Sequence, residues 1–141
     1  MSVNYWYLSA KGDILSGDID VKDDTLKMIL VKNTYTPDTV NHDEYADVSA
    51  HEISASGSYS VGGVTVGART LSLDSTTEEA MLDCSDITIT SLTAEDVRYL
   101  VFYASKSGNP LLFCCDLEAD YDFTGNNVSV QINSDGFVRL Q

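Results

Sequence analysis

The sequence predicts an all-β fold, an antiparallel β-sandwich of the jelly-roll-like kind with one or two short helical turns. Apolar and polar residues alternate at 70–73 and 128–132, which is typical of strands that keep one face in water. Residues 97–103 are apolar on both faces, a pattern that favours a central strand between two packed layers. Turn-forming residues cluster at 107–110, 125–127 and 134–136. Strands and turns at this spacing predict a sandwich or jelly roll.

The chain offers little helix. Two segments are candidates for one or two helical turns: residues 39–45, with Asp38 placed to cap the first turn, and residues 9–15. Both are too short to be stable without tertiary contacts. At 141 residues the chain fits a single domain, 1–141, with a self-sufficient core.

The charge balance argues against several classes of partner. The net charge is −14, from 22 acidic and 8 basic residues. Nucleic acids and anionic membranes are bound mainly through Lys and Arg, so we expect neither as a partner. The N-terminus lacks the basic and apolar regions of a secretory signal, and no stretch reaches the roughly 20 apolar residues of a membrane helix. We therefore expect a cytosol-like compartment.

The three cysteines fit a reducing compartment. Cys84 stands alone, whereas Cys114 and Cys115 are neighbours within an apolar run. Adjacent strand residues point to opposite faces, so this pair is a poor disulfide and a poor metal chelate. We expect all three thiols to pack as small apolar groups in or near a sheet.

The chain carries no recognisable catalytic motif. The Gly-rich residues 57–63 lack the Lys and Ser/Thr of a phosphate-binding loop, and Ser58 lies in GSYSVG rather than GxSxG. A catalytic triad needs His42 or His51, and both lie in acidic loops where a turn-capping or solvated role is favoured. We therefore expect neither an enzyme nor a cofactor.

Acidic residues form two clusters that offer the oxygen ligands calcium prefers. They are Asp18, Asp20, Asp23 and Asp24, and Glu118, Asp120 and Asp122. Neither cluster has the spacing, the glycine or the terminal glutamate of an EF-hand loop. The alternating carboxylates at 118–122 fit better as the wet face of an edge strand, where charge blocks unwanted strand pairing. We expect no metal site, with a structural calcium as the alternative.

Aromatic residues are the candidates for contact with partners, because Tyr and Trp bury a large rigid area and keep a polar group. They lie near the N-terminus and in or beside the long connection at 32–63: Tyr5, Trp6, Tyr7, Tyr35, Tyr45 and Tyr59. The alternative for each of them is packing within its own domain.

Several segments follow one another in an order that resembles a widespread family of small structural proteins of tailed bacteriophages. Members commonly carry segments like DTLKVALxxxxYTPxxDxHxxxxDV, EVxGxGYxxGG, RYxVxY, PLxxxxDFG and a hydrophobic end near GILxL. The counterparts here cover nearly the whole chain, at 24–31, 35–48, 52–63, 98–103, 110–117 and 136–140. Two turns depart from the pattern: Asp116-Leu117-Glu118 replaces Asp-Phe-Gly, and residues 55–58 read ASGS where GTG is expected.

The resemblance implies a non-enzymatic virion protein that is made in the cytoplasm of a bacterial host. The working hypothesis is a decoration or cement protein on the outside of the head, with the major capsid protein and itself, as a homotrimer, for partners. The resemblance also makes residues 1–20 a candidate for an extended arm across a neighbouring subunit. Two alternatives stay open: a tail, neck or fibre-base component, and a carbohydrate-binding β-sandwich module.

Overall fold

The computed structural model describes residues 3–132 and 137–140. The fold is all-β and sandwich-like, with antiparallel sheets, one helix and two short 3₁₀ turns, which confirms the predicted class. The strands are β1 (Val3–Trp6), β2 (Leu26–Lys32), β3 (Val64–Thr65), β4 (Arg69–Asp74), β5 (Glu79–Cys84), β6 (Ile87–Ala104), β7 (Leu111–Val130) and β8 (Val138–Leu140). The helix is α1 (Leu8–Ser16), and the 3₁₀ turns are Tyr45–Asp47 and Ser49–His51.

Two sheets organise the described residues. The larger has five strands in the order β1-β7-β6-β2-β3, and the smaller has three in the order β4-β5-β8. The long strands β6 and β7 form a hairpin whose loop is closed where the Ala104 N–H donates to the Pro110 carbonyl at 2.9 Å. The predicted turn at 107–110 is therefore confirmed, with Gly108 and Asn109 both at positive φ.

The β6–β7 hairpin is interrupted by bulges, where residues with positive φ break the pairing register. They are Ser91, Asp96, Glu118 and Gly125. Extra residues of this kind bend and twist a strand pair. The part of the hairpin farthest from its loop therefore faces the central part of the same sheet across an apolar pocket. The predicted turn at 125–127 is wrong, because Gly125 is a bulge inside β7. The predicted turn at 134–136 lies outside the described residues.

Both faces of the larger sheet are covered. Val101 and Tyr103 on β6 pack beneath the connection that joins β2 to β3, whereas Leu100 and Phe102 point to the opposite face. All four side chains are buried, which confirms that residues 97–103 lie in a central strand. Cys114 and Cys115 also separate in this way, since Cys114 lies against Tyr7 and Cys115 lines the apolar pocket on the other face.

The N-terminal residues belong to the domain itself. Strand β1 pairs antiparallel with β7, and the Tyr7 N–H donates to the Leu112 carbonyl at 3.1 Å. Helix α1 packs against β7 and ends at Gly17. Residues 3–16 thus form a strand and a helix of the domain, in which Tyr7 and Ala10 are buried.

The two helix predictions had different outcomes. The segment 9–15 is confirmed as helix within α1. The segment 39–45 is not an α-helix. It forms a single turn, in which the His42 N–H donates to the Asp38 carbonyl at 3.0 Å. As predicted, the Asp38 carboxylate caps this turn, because it accepts hydrogen bonds from the N–H groups of Val40 and Asn41 at 3.1 and 3.0 Å.

Candidate functional site

Three of the six candidate contact aromatics lie in the interior of the domain. Tyr7, Tyr35 and Tyr59 are buried, with 0%, 2% and 1% of their surface exposed. Their rings pack within the domain, which favours the alternative of packing over contact with a partner for these three residues. Tyr35 and Tyr59 each stand between two polar residues, so their local sequence contains no signal of this burial, whereas Tyr7 stands between Trp6 and Leu8.

The other three aromatics are at least partly exposed. Trp6 packs against Phe113 with ring centroids 5.0 Å apart, and Tyr45 packs against Tyr103 at the same distance. Tyr5 is 41% exposed on β1. A carbohydrate-binding site needs an open aromatic face on which a sugar ring can stack. The packing of Trp6 on Phe113 covers part of such a face, which disfavours the carbohydrate-binding alternative.

A chain of hydrogen-bonded side chains ties the long connection to the sheet. The hydroxyls of Tyr7 and Tyr35 lie 2.9 Å apart, and the Tyr35 hydroxyl lies 2.9 Å from Nδ1 of His42. Burial raises the pKa of Tyr35 to about 12 and that of Tyr7 well above the ordinary tyrosine value. These hydroxyls stay protonated at neutral pH, so they serve as structural hydrogen-bonding groups.

A second network centres on Glu52, at the end of the 3₁₀ turn Ser49–His51. Its carboxylate accepts hydrogen bonds from the hydroxyls of Tyr45 and Tyr59 and from the Gly62 N–H at 2.8 Å. The Tyr59 hydroxyl in turn accepts from the Leu30 N–H at 3.1 Å, on strand β2. The Glu52 carboxylate therefore fixes the connection on the sheet.

The first acidic cluster is built as a turn. The Asp20 carboxylate accepts hydrogen bonds from the N–H groups of Lys22 and Asp23 at 2.9 and 3.0 Å. The Asp24 carboxylate accepts from Nζ of Lys106 at 2.8 Å, and this ammonium holds the pKa of Asp24 below its ordinary value. Backbone amides and one ammonium group are thus the partners of these two carboxylates.

The second acidic cluster lies on β7. Asp120 accepts a hydrogen bond from the side-chain amide of Asn33 at 2.8 Å, and Asp122 accepts one from the Asp96 N–H at 2.9 Å. Within residues 3–132 and 137–140, no three His, Cys, Asp or Glu side chains are grouped as metal ligands. In the same ranges, no helix has the length and apolarity needed to cross a bilayer.

Several basic side chains are already neutralised by carboxylates of the same chain. The pairs in the described residues are Lys22 with Asp23, Arg98 with both Asp116 and Asp120, Lys106 with Asp24, and Arg139 with Glu79. The Arg69 guanidinium instead donates to the carbonyls of Lys22 and Asp24. Because so many cations are matched internally, the excess of carboxylates dominates the outer surface.

An apolar pocket of about 490 Å³ opens between the central part of the larger sheet and the distal part of the β6–β7 hairpin, which belongs to the same sheet. Its lining includes Leu100, Phe102 and Phe113 from the sheet, and Phe123 and Val128 from the distal part of β7. A pocket of this size and composition can accept an apolar group.

The strand β4 exposes two large apolar side chains, which we call the leucine face. Leu71 is 52% exposed and Leu73 is 78% exposed. They lie opposite Leu82 and Ala80 of β5, and residues that lie opposite in an antiparallel pair share one face. Leu82 is buried, so the leucine face continues outward from the interior of the domain.

Sequence reasoning identified β4 as a strand with one wet face but did not identify the leucine face. Alternation at 70–73 gives the period of a strand without telling whether a neighbour covers its apolar side. In the described part of the chain β4 is the outer strand of its sheet, and both leucines are accessible. No family model, no curated protein and no solved structure matches the chain.

Proposed function

We propose that the chain is a non-enzymatic structural protein of a tailed-bacteriophage particle, and that it binds the outside of the head as a decoration or cement protein. The resemblance of its ordered sequence segments to phage structural proteins motivates the proposal. The observation that carries it is the leucine face, because a compact acidic domain leaves large apolar side chains uncovered on an outer strand.

The polar groups of the domain support a binding role over a catalytic one. His42, Glu52 and the buried tyrosines bond to one another or to the backbone. Each of these contacts fixes the long connection against the larger sheet. A rigid scaffold with apolar surface suits attachment to another protein.

The mechanism is thermodynamic. Many copies, each bridging adjacent capsid subunits, add interface area that fits the expanded shell better than the unexpanded one. Ligands that bind one state preferentially stabilise that state by mass action, and repeated contacts on one particle increase the effect. The copies are proposed to sit as homotrimers at local symmetry axes, by analogy with other small β modules. Sedimentation as a strict monomer at high protein concentration would exclude the trimer.

Immunogold electron microscopy tests the location. Antibody against this chain is applied to intact particles of the phage that encodes it, with particles pre-blocked by excess antibody as the control. We expect gold spread over the heads. Gold confined to tails or necks would replace the head location with the tail, neck or fibre-base alternative, and particles without gold would remove the chain from the virion exterior.

A further inference from the structure

We infer that the apolar pocket between the central part of the larger sheet and the distal part of the β6–β7 hairpin is a binding site for a small neutral aromatic molecule. Such a site goes beyond the proposed function and does not depend on it. Three features of the pocket carry the proposal: its uncharged lining, the aromatic rings on both of its walls and the contacts that fix those walls.

The lining of the pocket is uncharged. None of the described residues that line it is Asp, Glu, Lys or Arg, although these four types make up 21% of the chain. The polar side chains of the lining are the neutral groups of Asn4, Ser129 and Gln131. An ion that enters such a site leaves water without gaining a counter-charge, which costs free energy. The lining therefore selects a neutral molecule.

The acidic residues of the distal part of β7 point away from the pocket. Asp122 stands between Tyr121 and Phe123, which both line the pocket, so its side chain lies on the opposite face of the strand. It accepts a hydrogen bond from a backbone N–H of β6 at 2.9 Å, and Asp120 accepts one from the side-chain amide of Asn33 at 2.8 Å. The negative charge of the chain thus repels an approaching anion and offers a cation no partner inside the pocket.

Aromatic rings lie on both walls of the pocket. On the central part of the sheet, Phe102 stacks on Phe113 with ring centroids 4.5 Å apart, and Phe137 meets both rings edge-on. On the distal part, Tyr121 and Phe123 are stacked with centroids 6.4 Å apart. Aromatic rings prefer offset-stacked or edge-to-face neighbours. A flat aromatic molecule gains such contacts here in addition to the burial of its apolar surface, and about 490 Å³ is a volume typical of sites for small organic molecules.

The walls of the pocket are fixed by hydrogen bonds to other parts of the fold. The Ser58 N–H donates to the Thr90 carbonyl at 3.0 Å, and the Thr90 N–H donates to the Ser58 hydroxyl at 2.9 Å, which ties β6 to the long connection. Beyond the end of β7, the Ile132 N–H donates to the Asp86 carboxylate at 2.8 Å. A site that is formed in advance loses little conformational entropy when a ligand binds.

The test compares two fluorescent probes that share one ring system. N-phenylnaphthylamine is neutral, and anilinonaphthalene sulfonate carries one negative charge on the same rings. Each probe is titrated with the purified chain and with three variants: Val128→Trp, which fills the pocket, Val130→Lys, which places a cation in its lining, and Leu73→Ser. Leu73 is 78% exposed on the leucine face, outside the pocket, so the last variant controls for probe bound to that face. Thermal unfolding establishes which variants are folded.

We expect the neutral probe to bind the unchanged chain at one saturable site, at least about tenfold more tightly than the anionic probe, because the sulfonate must be desolvated. Val128→Trp should weaken binding of the neutral probe about tenfold or more, and Leu73→Ser should leave it unchanged. Val130→Lys should reduce the preference for the neutral probe about tenfold, because the ammonium pairs with the sulfonate.

Several outcomes would overturn the site. They are an absence of saturable binding of the neutral probe, equal affinity of the unchanged chain for both probes, and an unaltered preference in folded Val130→Lys. Equal weakening by Leu73→Ser and Val128→Trp would place the probe on the leucine face instead. If Val128→Trp does not fold, Val130→Lys and the comparison of the two probes on the unchanged chain still decide. Displacement of the neutral probe by dodecanol as effectively as by naphthalene would reject the aromatic preference.

Discussion

The hydroxyl of Tyr59 donates a hydrogen bond of 2.6 Å to the carboxylate of Glu52, beneath the long connection that covers the larger sheet. The same carboxylate accepts from Tyr45 and from the Gly62 N–H. One acidic side chain therefore satisfies three donors that the fold brings together from separate parts of the connection.

Replacement of Glu52 by Ala is expected to lower the free energy of unfolding by about 2–4 kcal/mol, because it leaves the partly buried donors without their charged acceptor. Denaturant titration monitored by circular dichroism measures the change. Glu95→Ala is the control, since the Glu95 side chain is exposed on β6. Equal stability of the two variants would show that the Glu52 network adds nothing to the fold.

Two glycines are expected to respond to alanine in opposite directions. Gly57 has φ of 57°, and a Cβ there would lie 2.0 Å from the Thr90 carbonyl oxygen, so Gly57→Ala should cost at least about 2 kcal/mol. Gly12 lies inside α1, and a Cβ added there would have no atom within 4 Å of it, so Gly12→Ala should stabilise by about 0.5–1 kcal/mol. Thermal unfolding of both variants measures the two changes in stability. A stabilising Gly57→Ala would contradict the close approach of residue 57 to the Thr90 carbonyl oxygen.

The ion pair between Arg98 and Asp116 is expected to make the free energy of unfolding depend on pH in the acidic range. The Arg98 guanidinium, 2.7 Å from the carboxylate, lowers the pKa of Asp116 below its ordinary value. A lowered folded pKa contributes stability that is present above the unfolded value, about 4, and is lost as pH falls through the folded value. Asp116→Asn should therefore flatten the fall of unfolding free energy below about pH 4. An unaltered pH profile in this variant would refute the linkage.

The thiol of Cys114 is expected to resist modification in the folded protein. Burial raises its pKa to about 12, and the side chain lies against Tyr7 in the core. Thiolate is the reactive form, so a charged thiol reagent at about pH 8 should modify Cys114 only after denaturation. Mass spectrometry of peptides after timed labelling provides the measurement, with the denatured chain as the reference. Rapid labelling of the native protein at Cys114 would mean that this part of the core opens readily.

Local sequence patterns were sufficient for the class of fold and for particular elements. The apolar residues at 97–103 predicted a strand that is covered on both faces. Only in such a strand are the apolar side chains of both faces removed from water. The turn residues at 107–110 specified the β6–β7 loop, and residues 9–15 specified the helix. The adjacent Cys114 and Cys115 were correctly assigned to opposite faces because side chains alternate along a strand.

Tertiary structure decided the features that depend on distant neighbours. The sequence at 125–127 has the composition of a turn, yet pairing with β6 keeps it inside a strand as a bulge. Tyr7, Tyr35 and Tyr59 have the composition of contact residues, yet the long connection and α1 bury them. Leu71 and Leu73 show the alternation of any half-buried strand, yet both side chains are exposed in the folded domain. The sequence by itself determined strand periods and turn chemistry, which are local properties of the backbone. Burial depends on which elements pack together, and that is settled only when the whole chain has folded.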